Sequence, residues 1–435
     1  MQPLQKGQQN KAKSILTVVI AAALALLAFC FGRPAAAQTD YTENLGAPTF
    51  ATMDQVELGL VNFANGNLHM EIPIASFPQR GRKPLSYKLV YDSRIWSVNN
   101  YNQWEPTALF GSKWVGWRLV TSNDHGGLGD VSNTTLCTVG GHVVGDVIVS
   151  DFNFQAPDGS VHYFNAANLQ FSNNCGGTVN LCTAGSANNG TGYFMFDNTQ
   201  TSCAGKWGTG PTVLAPDGTE VSLPNGNSGV KDANGNFYSL DSNGNIIDQL
   251  GRTPVTITTN GTNGCGSNQV CYDVLSSQGG TTRSRWIVTT ESIPVYTGFP
   301  NNADYNGNIS VIQSITLPDG SSYSFTYDQG TTMGHYGEVT GITLPTGGQI
   351  SYGYTLYSDA LGNYQHWVSS HTSGGNPPTT YALGSVNTTN LTQNVTVTKP
   401  SGDYKIYAFT LTPKNQLCGG DLPPHSAQLR IRHSS

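Results

Sequence analysis

The stretch Gly235-Asn236-Phe237-Tyr238-Ser239-Leu240-Asp241-Ser242-Asn243-Gly244-Asn245-Ile246 decides the fold, because a strand-forming run breaks there into an Asx/Gly turn. Tyr238 and Leu240 stand two apart and so share one face of an extended strand. Asn243-Gly244 offers the positive φ angles that a tight hairpin requires. The unit predicts a β-hairpin, and its repetition predicts architecture and not catalysis.

The same device recurs in other spellings at Pro157-Asp158-Gly159, Pro216-Asp217-Gly218, Pro318-Asp319-Gly320, Pro345-Thr346-Gly347 and Pro400-Ser401-Gly402. Proline presets one turn angle and glycine supplies the other. After the third copy Tyr323, Phe325 and Tyr327 alternate with small polar residues; after the fourth, Ile350, Tyr352, Tyr354 and Leu356 do the same. Each pattern predicts a strand with one buried and one wetted face. The copies fall at unequal intervals, which makes a degenerate array and not a solenoid of fixed period.

The composition agrees. Only 11% of the 435 residues are charged while 51 are glycine, a balance suited to many short strands and tight connections. The expectation is an all-β chain of antiparallel strands and hairpins in an extended, spiralling sheet, preceded by an N-terminal signal helix. Residues 1–37 read as that signal: Lys6, Lys11 and Lys13 precede an apolar run from Ile15 to Phe31, and Ala35-Ala36-Ala37 supplies small residues for cleavage. A retained membrane anchor is the rival reading, and the only membrane contact expected. From residue 38 onward 17 basic residues face 27 acidic ones, a net charge of −10. An acidic, lysine-poor surface repels phosphate backbones, so nucleic acid is not an expected partner.

Export makes disulfides the default for the seven cysteines beyond the leader. Cys265 and Cys271 flank a short Gly/Ser/Asn loop and form the best local candidate pair. Cys175, Cys182 and Cys203 crowd another region with Cys137 as a possible fourth member, which leaves Cys418 odd. The organisation expected is a β region over 38–130, a loop-heavy cysteine-containing insertion over 131–230, a turn-and-strand region over 231–415, and a tail over 416–435 that loses alternation and reads as disordered or as the cut end of a longer array.

The unit at Gly235, Tyr238, Asp241, Gly244 and Asn245 resembles the YD repeat of Rhs-type and teneurin-type proteins, with Leu240 in place of the second tyrosine. Tyr327-Asp328 carries a second near match. Gly66-Asn67-Leu68, Gly81-Arg82 and the run from Leu85 to Tyr91-Asp92-Ser93 are similar to the segment that precedes such repeats in secreted bacterial members. The resemblance implies a β-sheet wound into a spiral or hollow shell, which in some members encloses a C-terminal effector. It therefore implies a wall portion or truncated member whose partner is the C-terminal remainder of a longer system. No Asp-Pro-x-Gly core-terminating motif is present, so the resemblance does not extend to self-cleavage.

Enzyme signatures are sparse. The chain has no Gly-x-Ser-x-Gly elbow, no His-Glu-x-x-His and no Gly-Lys-Ser/Thr loop, and it has seven glutamates. Asp124-His125 with His142 has the residue types of a base or metal site but also those of polar turns. Asp232, Asn234, Asn236, Asp241, Asn243 and Asn245 place oxygens at alternating positions suited to calcium, yet hairpin turns demand the same residues and no bidentate glutamate follows. No other cofactor is expected. Trp96, Tyr101, Trp104, Trp114 and Trp117 with Glu105 are the makings of a glycan platform, although an apolar plug at the end of a β assembly is the preferred reading of the same residues. The reading is a non-enzymatic exported scaffold whose partner is a protein or glycan at a cell surface, with a carbohydrate-binding or carbohydrate-processing β protein as the alternative.

Overall fold

Among the described residues of the computed structural model every regular element is a β-strand, and every pairing between these strands is antiparallel. The structure describes residues 45, 52–81, 83–107, 112–188, 190–198, 210–222, 229–259, 261–276, 281–360, 362–410 and 432–434. The expected signal helix, Arg82, Cys203 and Cys418 lie outside them.

The first sheet has five strands in the order β1 (Met53–Val56), β2 (Gly59–Asn62), β3 (Leu68–Phe77), β4 (Leu85–Asp92) and β7 (Trp117–Thr121). A small hairpin, β5 (Trp96–Val98) and β6 (Trp104–Pro106), sits in the connection before β7. The expected alternation in β4 is met, with Leu85, Tyr87, Leu89 and Tyr91 all buried.

The region read as a cysteine-containing β/loop insertion is rich in strands. β8 (Gly127–Val139) and β9 (His142–Gln155) form a long hairpin, and β10 (Val161–Tyr163) and β11 (Leu169–Gln170) pair with the far side of β9. A five-stranded meander follows: β12 (Cys182–Ser186), β13 (Phe194–Asn198), β14 (Gly210–Leu214), β15 (Glu220–Ser222) and β16 (Gly229–Lys231). Phe152, Phe154, Phe164, Met195 and Val213 lead a small core of their own here. Threonine, glycine and asparagine hide strand propensity from a reader who weighs turn formers first.

The hairpin of β17 (Ser239–Leu240) and β18 (Ile246–Ile247) then leads into a single twelve-stranded meander. Its strands are β19 (Val255–Thr259), β20 (Gln269–Leu275), β21 (Arg283–Tyr296), β22 (Asn306–Thr316), β23 (Ser322–Tyr327), β24 (Val339–Thr343), β25 (Gln349–Ser358), β26 (Tyr364–Ser373), β27 (Thr379–Leu383), β28 (Thr392–Thr398), β29 (Tyr404–Thr410) and β30 (Arg432–Ser434). Each neighbour in sequence is a neighbour in space. At the far end of the tail the backbone of 432–434 pairs with β29.

One turn builds these hairpins. At each of the five Pro-x-Gly sites the residue before the proline donates its N–H to the carbonyl four residues on, and the glycine N–H donates back, as in Leu317 to Ser321 and Gly320 to Leu317. All five glycines hold φ between +82° and +91°, a region closed to most side chains. Asp232, Asp241, Asp248 and Asp359 open the same loop without proline. The quoted unit therefore differs from its expected form. Of the Asn243-Gly244 pair only Gly244 has positive φ, the strand is two residues long, and Leu240 is exposed while Tyr238 packs inward. β25 departs too: a bulge between Gly353 and Tyr354 shifts the pattern, so Leu356 faces out and Tyr357 is buried.

The main core lies between the five-stranded sheet and the twelve-stranded meander. Phe63 packs on Tyr381 and Tyr407, Trp117 on Phe325, and the Arg252 guanidinium lies over Phe77. Asp54 accepts from the Tyr381 hydroxyl at 2.8 Å and pairs with Lys399, while Glu57 meets His371 at 2.8 Å. The first sheet thus touches the meander from the turn that precedes β19 to β29.

Candidate functional site

The two motif fragments singled out in the N-terminal region meet around one buried carboxylate. Gly66 turns the chain with φ +69° so that Asn67 and His69 reach the end of β4, where Asp92 is fully buried. Asp92 Oδ1 accepts from His69 Nδ1 at 2.8 Å and Asn67 Nδ2 at 2.7 Å, and Oδ2 accepts from Arg118 Nη1 at 2.5 Å. Gly66 itself lies under Trp367 of β26; a Cβ there would stand 2.3 Å from the indole Cγ. No other residue meets both demands.

Burial by itself would raise the Asp92 pKa, but His69 and Arg118 outweigh it and hold the carboxyl below its ordinary range. Burial likewise disfavours the His69 cation, and the carboxylates of Asp92 and Glu71 reverse that, raising its pKa to about 9. Glu71, hydrogen-bonded to His69 and ion-paired with Lys88, falls to about 2. His69, Glu71 and Lys88 line a cavity of 530 Å³ together with Gln55 and Glu57. A general acid or base works best with a pKa near the operating pH, and Asp92, Glu71 and His69 are instead held in their charged forms.

Above the hub stands an aromatic joint. Trp117, fully buried, packs 5.0 Å from Tyr91 and 4.8 Å from Phe325, and its indole N–H donates to the Tyr327 hydroxyl at 3.0 Å. Tyr327 in turn donates to the Ile312 carbonyl. The Tyr91 hydroxyl accepts from the Val339 N–H at 2.9 Å, and Trp96 donates to the Tyr336 carbonyl at 2.8 Å. Asp328 orders the loop that follows Tyr327 by pairing with His335 at 2.8 Å and accepting the Tyr336 N–H. Each Tyr-Asp pair therefore sends its tyrosine across the joint and its aspartate into a local network.

The expected glycan platform is not assembled as a face. Trp96, Trp104 and Trp117 are buried, Trp114 is partly buried, and Trp104 stacks on Phe299 at 4.0 Å. These rings are consumed by contacts with the meander, as a plug requires. Glu105 is exposed and accepts from Asn99, and Tyr101 is 84% exposed at a hairpin tip. The edges of Trp96 and Trp104 do border a groove of 470 Å³, whose other walls include Arg94, Asn301, Asn302, Asn363 and Gln365. The asparagines gave no signal because they come from separate loops.

Asp232 and Asp241 spend their carboxylates on their own turns. Asp232 Oδ1 accepts the N–H groups of Asn234 and Asn236, and Asp241 Oδ1 those of Asn243 and Asn245. The Asn245 side-chain oxygen accepts from Ile257, and Asn236 Nδ2 donates to Asp232. Among the described residues no three His, Cys, Asp or Glu side chains gather as a metal would require. Asp124 accepts from Thr121 and His125 bonds Gly126 near the base of β8, whereas His142 begins β9 at the opposite end of that hairpin. The Asp124, His125 and His142 cluster is not formed.

Cys265 and Cys271 are bonded, as are Cys137 and Cys175. Disulfides persist in oxidising compartments. A buried pair that the sequence did not signal joins β26 to the start of β24: Glu338 meets His366 at 3.0 Å, its other oxygen has no partner, and burial raises its pKa. It lines neither cavity described above. No protein-family model and no curated protein matches this chain.

Proposed function

We propose that this protein is an exported, non-enzymatic β scaffold of the YD-repeat type, acting in contacts at a cell surface or as a wall portion of an encapsulating shell. The observation that carries this reading is the reach of the first sheet, which touches the twelve-stranded meander close to both of its ends. Strands lie about 4.8 Å apart, so twelve span roughly 53 Å if flat while five span roughly 19 Å. The meander curls around the smaller sheet to make those contacts, and curling of a long antiparallel sheet is the geometry of a shell wall. The tyrosine-aspartate pairs at the joint, the disulfides and the locked charges of the Asp92 hub support the same reading. The partner class is a protein or glycan at a cell surface, or the C-terminal remainder of a longer system. The test is to add purified, oxidised protein to cells and to a panel of polysaccharide, ester and peptide substrates. Saturable cell binding without turnover is the expected result; turnover that follows the protein through purification overturns the scaffold reading.

A second reading has one observation in its favour. The 470 Å³ groove combines side-chain amides, Arg94 and indole edges, the groups that hold neutral polyhydroxylated ligands. Binding of a cell-wall or host oligosaccharide that is lost in Asn302→Ala and Tyr364→Ala would favour a carbohydrate-binding protein.

A further inference from the structure

We infer that the free edge of β8 is a self-association surface, through which two copies of this protein pair strand to strand. β9 is bonded to β8 along its length, from Gly127 opposite Gln155 to Val139 opposite His142, and to β10 and β11 on its other side. Among the described residues nothing pairs with the outer side of β8. Its 13 residues extend about 44 Å, and an unpaired edge of that length is a template for another strand.

Proteins ordinarily blunt such an edge with lysine, proline or a bulge. β8 has no lysine and no proline, and its bulge lies at the base, between Gly129 and Val131. From Ser132 to Thr138 every residue but Cys137 is exposed. Leu136, 68% exposed, and Val143, 72% exposed, lie on one face of the ribbon, where Thr138 pairs with Val143 and Thr134 with the part-exposed Val147. The other face is fixed. Cys137 is bonded to Cys175, and the buried Asp146 accepts the N–H groups of Asn174 and Cys175 at 2.8 and 3.0 Å. That staple holds the ribbon straight and stops it from folding its aliphatic face inward, so the edge is preorganised for docking.

A second copy is the occupant that the charges favour. Residues 132–145 contain no Asp, Glu, Lys or Arg, whereas the whole chain has 27 acidic and 21 basic residues and repels its like. An antiparallel β8–β8 contact puts the same neutral stretch on both sides and is isologous, so it closes at two copies. The main-chain donors and acceptors match, and the aliphatic faces of the two ribbons become one.

The experiment is sedimentation velocity on the full exported chain, oxidised, over a range of concentrations. A dimer is expected, with a mass that halves in Thr134→Lys/Leu136→Lys, both exposed positions on the edge. Unchanged circular dichroism and melting would show that the variant is folded. Val143→Lys, on the same face but off the edge, is expected to weaken the dimer less. A wild-type monomer at all concentrations, or a dimer indifferent to the edge lysines, overturns the inference; so does a monomer that binds phosphatidylcholine vesicles through the same residues. None of those results touches the scaffold reading, which rests on the meander.

Discussion

The twelve-stranded meander and the stapled region from β8 to β16 are written with the same turn, and they solve the burial of their strands differently. The meander lays tyrosine, tryptophan, isoleucine and valine against the five-stranded sheet, and the two share one core. Among the described residues the stapled region has a smaller core without tryptophan, and its longest hairpin projects beyond that core with both faces of its tip wet. What apolar contact does for the meander, the Cys137–Cys175 bond and the Asp146 network do for the hairpin. A two-stranded ribbon is marginal in water, so without a covalent tie the projection would fray. Turn chemistry, then, sets where hairpins form, and the available partner surface sets how each is held.

Four changes break or sharpen this contrast. The largest effect is expected for Asp92→Ala, which leaves His69 and Arg118 buried without their anion; loss of one member of a buried ion pair costs about 3–5 kcal/mol. Urea unfolding followed by tryptophan fluorescence should show it, because the indoles sit at the joint. A near-wild-type midpoint would mean that the hub does not stabilise the first sheet on which the meander packs.

Removal of the staple by Cys137→Ser/Cys175→Ser comes next. The bond closes 38 residues, for which the chain-entropy account gives about 4 kcal/mol. Hydrogen exchange should rise in 131–149 and stay unchanged in 255–410. Equal loss in both would erase the contrast.

The third effect is one of pH. His69 binds its proton more tightly in the folded chain, with a pKa near 9 against an ordinary 6.5. Its contribution is complete below about pH 6.5 and is lost as pH rises through 9, at most about 3 kcal/mol. Melting temperature should fall across that window, and His69→Gln should flatten the slope.

Trp117→Phe is the mildest. It keeps a ring beside Tyr91 and Phe325 but removes the donor to Tyr327, at a cost of about 1–3 kcal/mol. If unfolding of the stapled region shifts as much as that of the meander, the two cores are coupled more tightly than their separate contacts imply.

How much was legible beforehand differs by length scale. Alternation in β4 and β23 and the Pro-x-Gly turns could be read directly, since a turn is decided by residues within five positions of one another. The Cys265–Cys271 pair was readable for the same reason. The individual strands of the stapled region were not legible because threonine and glycine serve strands and loops alike, and the faces of β25 were not because a bulge leaves no mark in a two-residue period. The tryptophans were ambiguous for a deeper reason: an indole on a sugar platform and one in a core have the same composition around them.

Local sequence by itself determined the turns, the antiparallel order and the one-sided strands of this protein, because backbone angles and two-residue alternation are settled among near neighbours. Only the tertiary structure decided that Trp117 would meet Tyr327, 210 positions away, and that Asn67, His69 and Arg118 would converge on Asp92. Those encounters depend on how one sheet packs against another, and packing is a property of whole surfaces in contact.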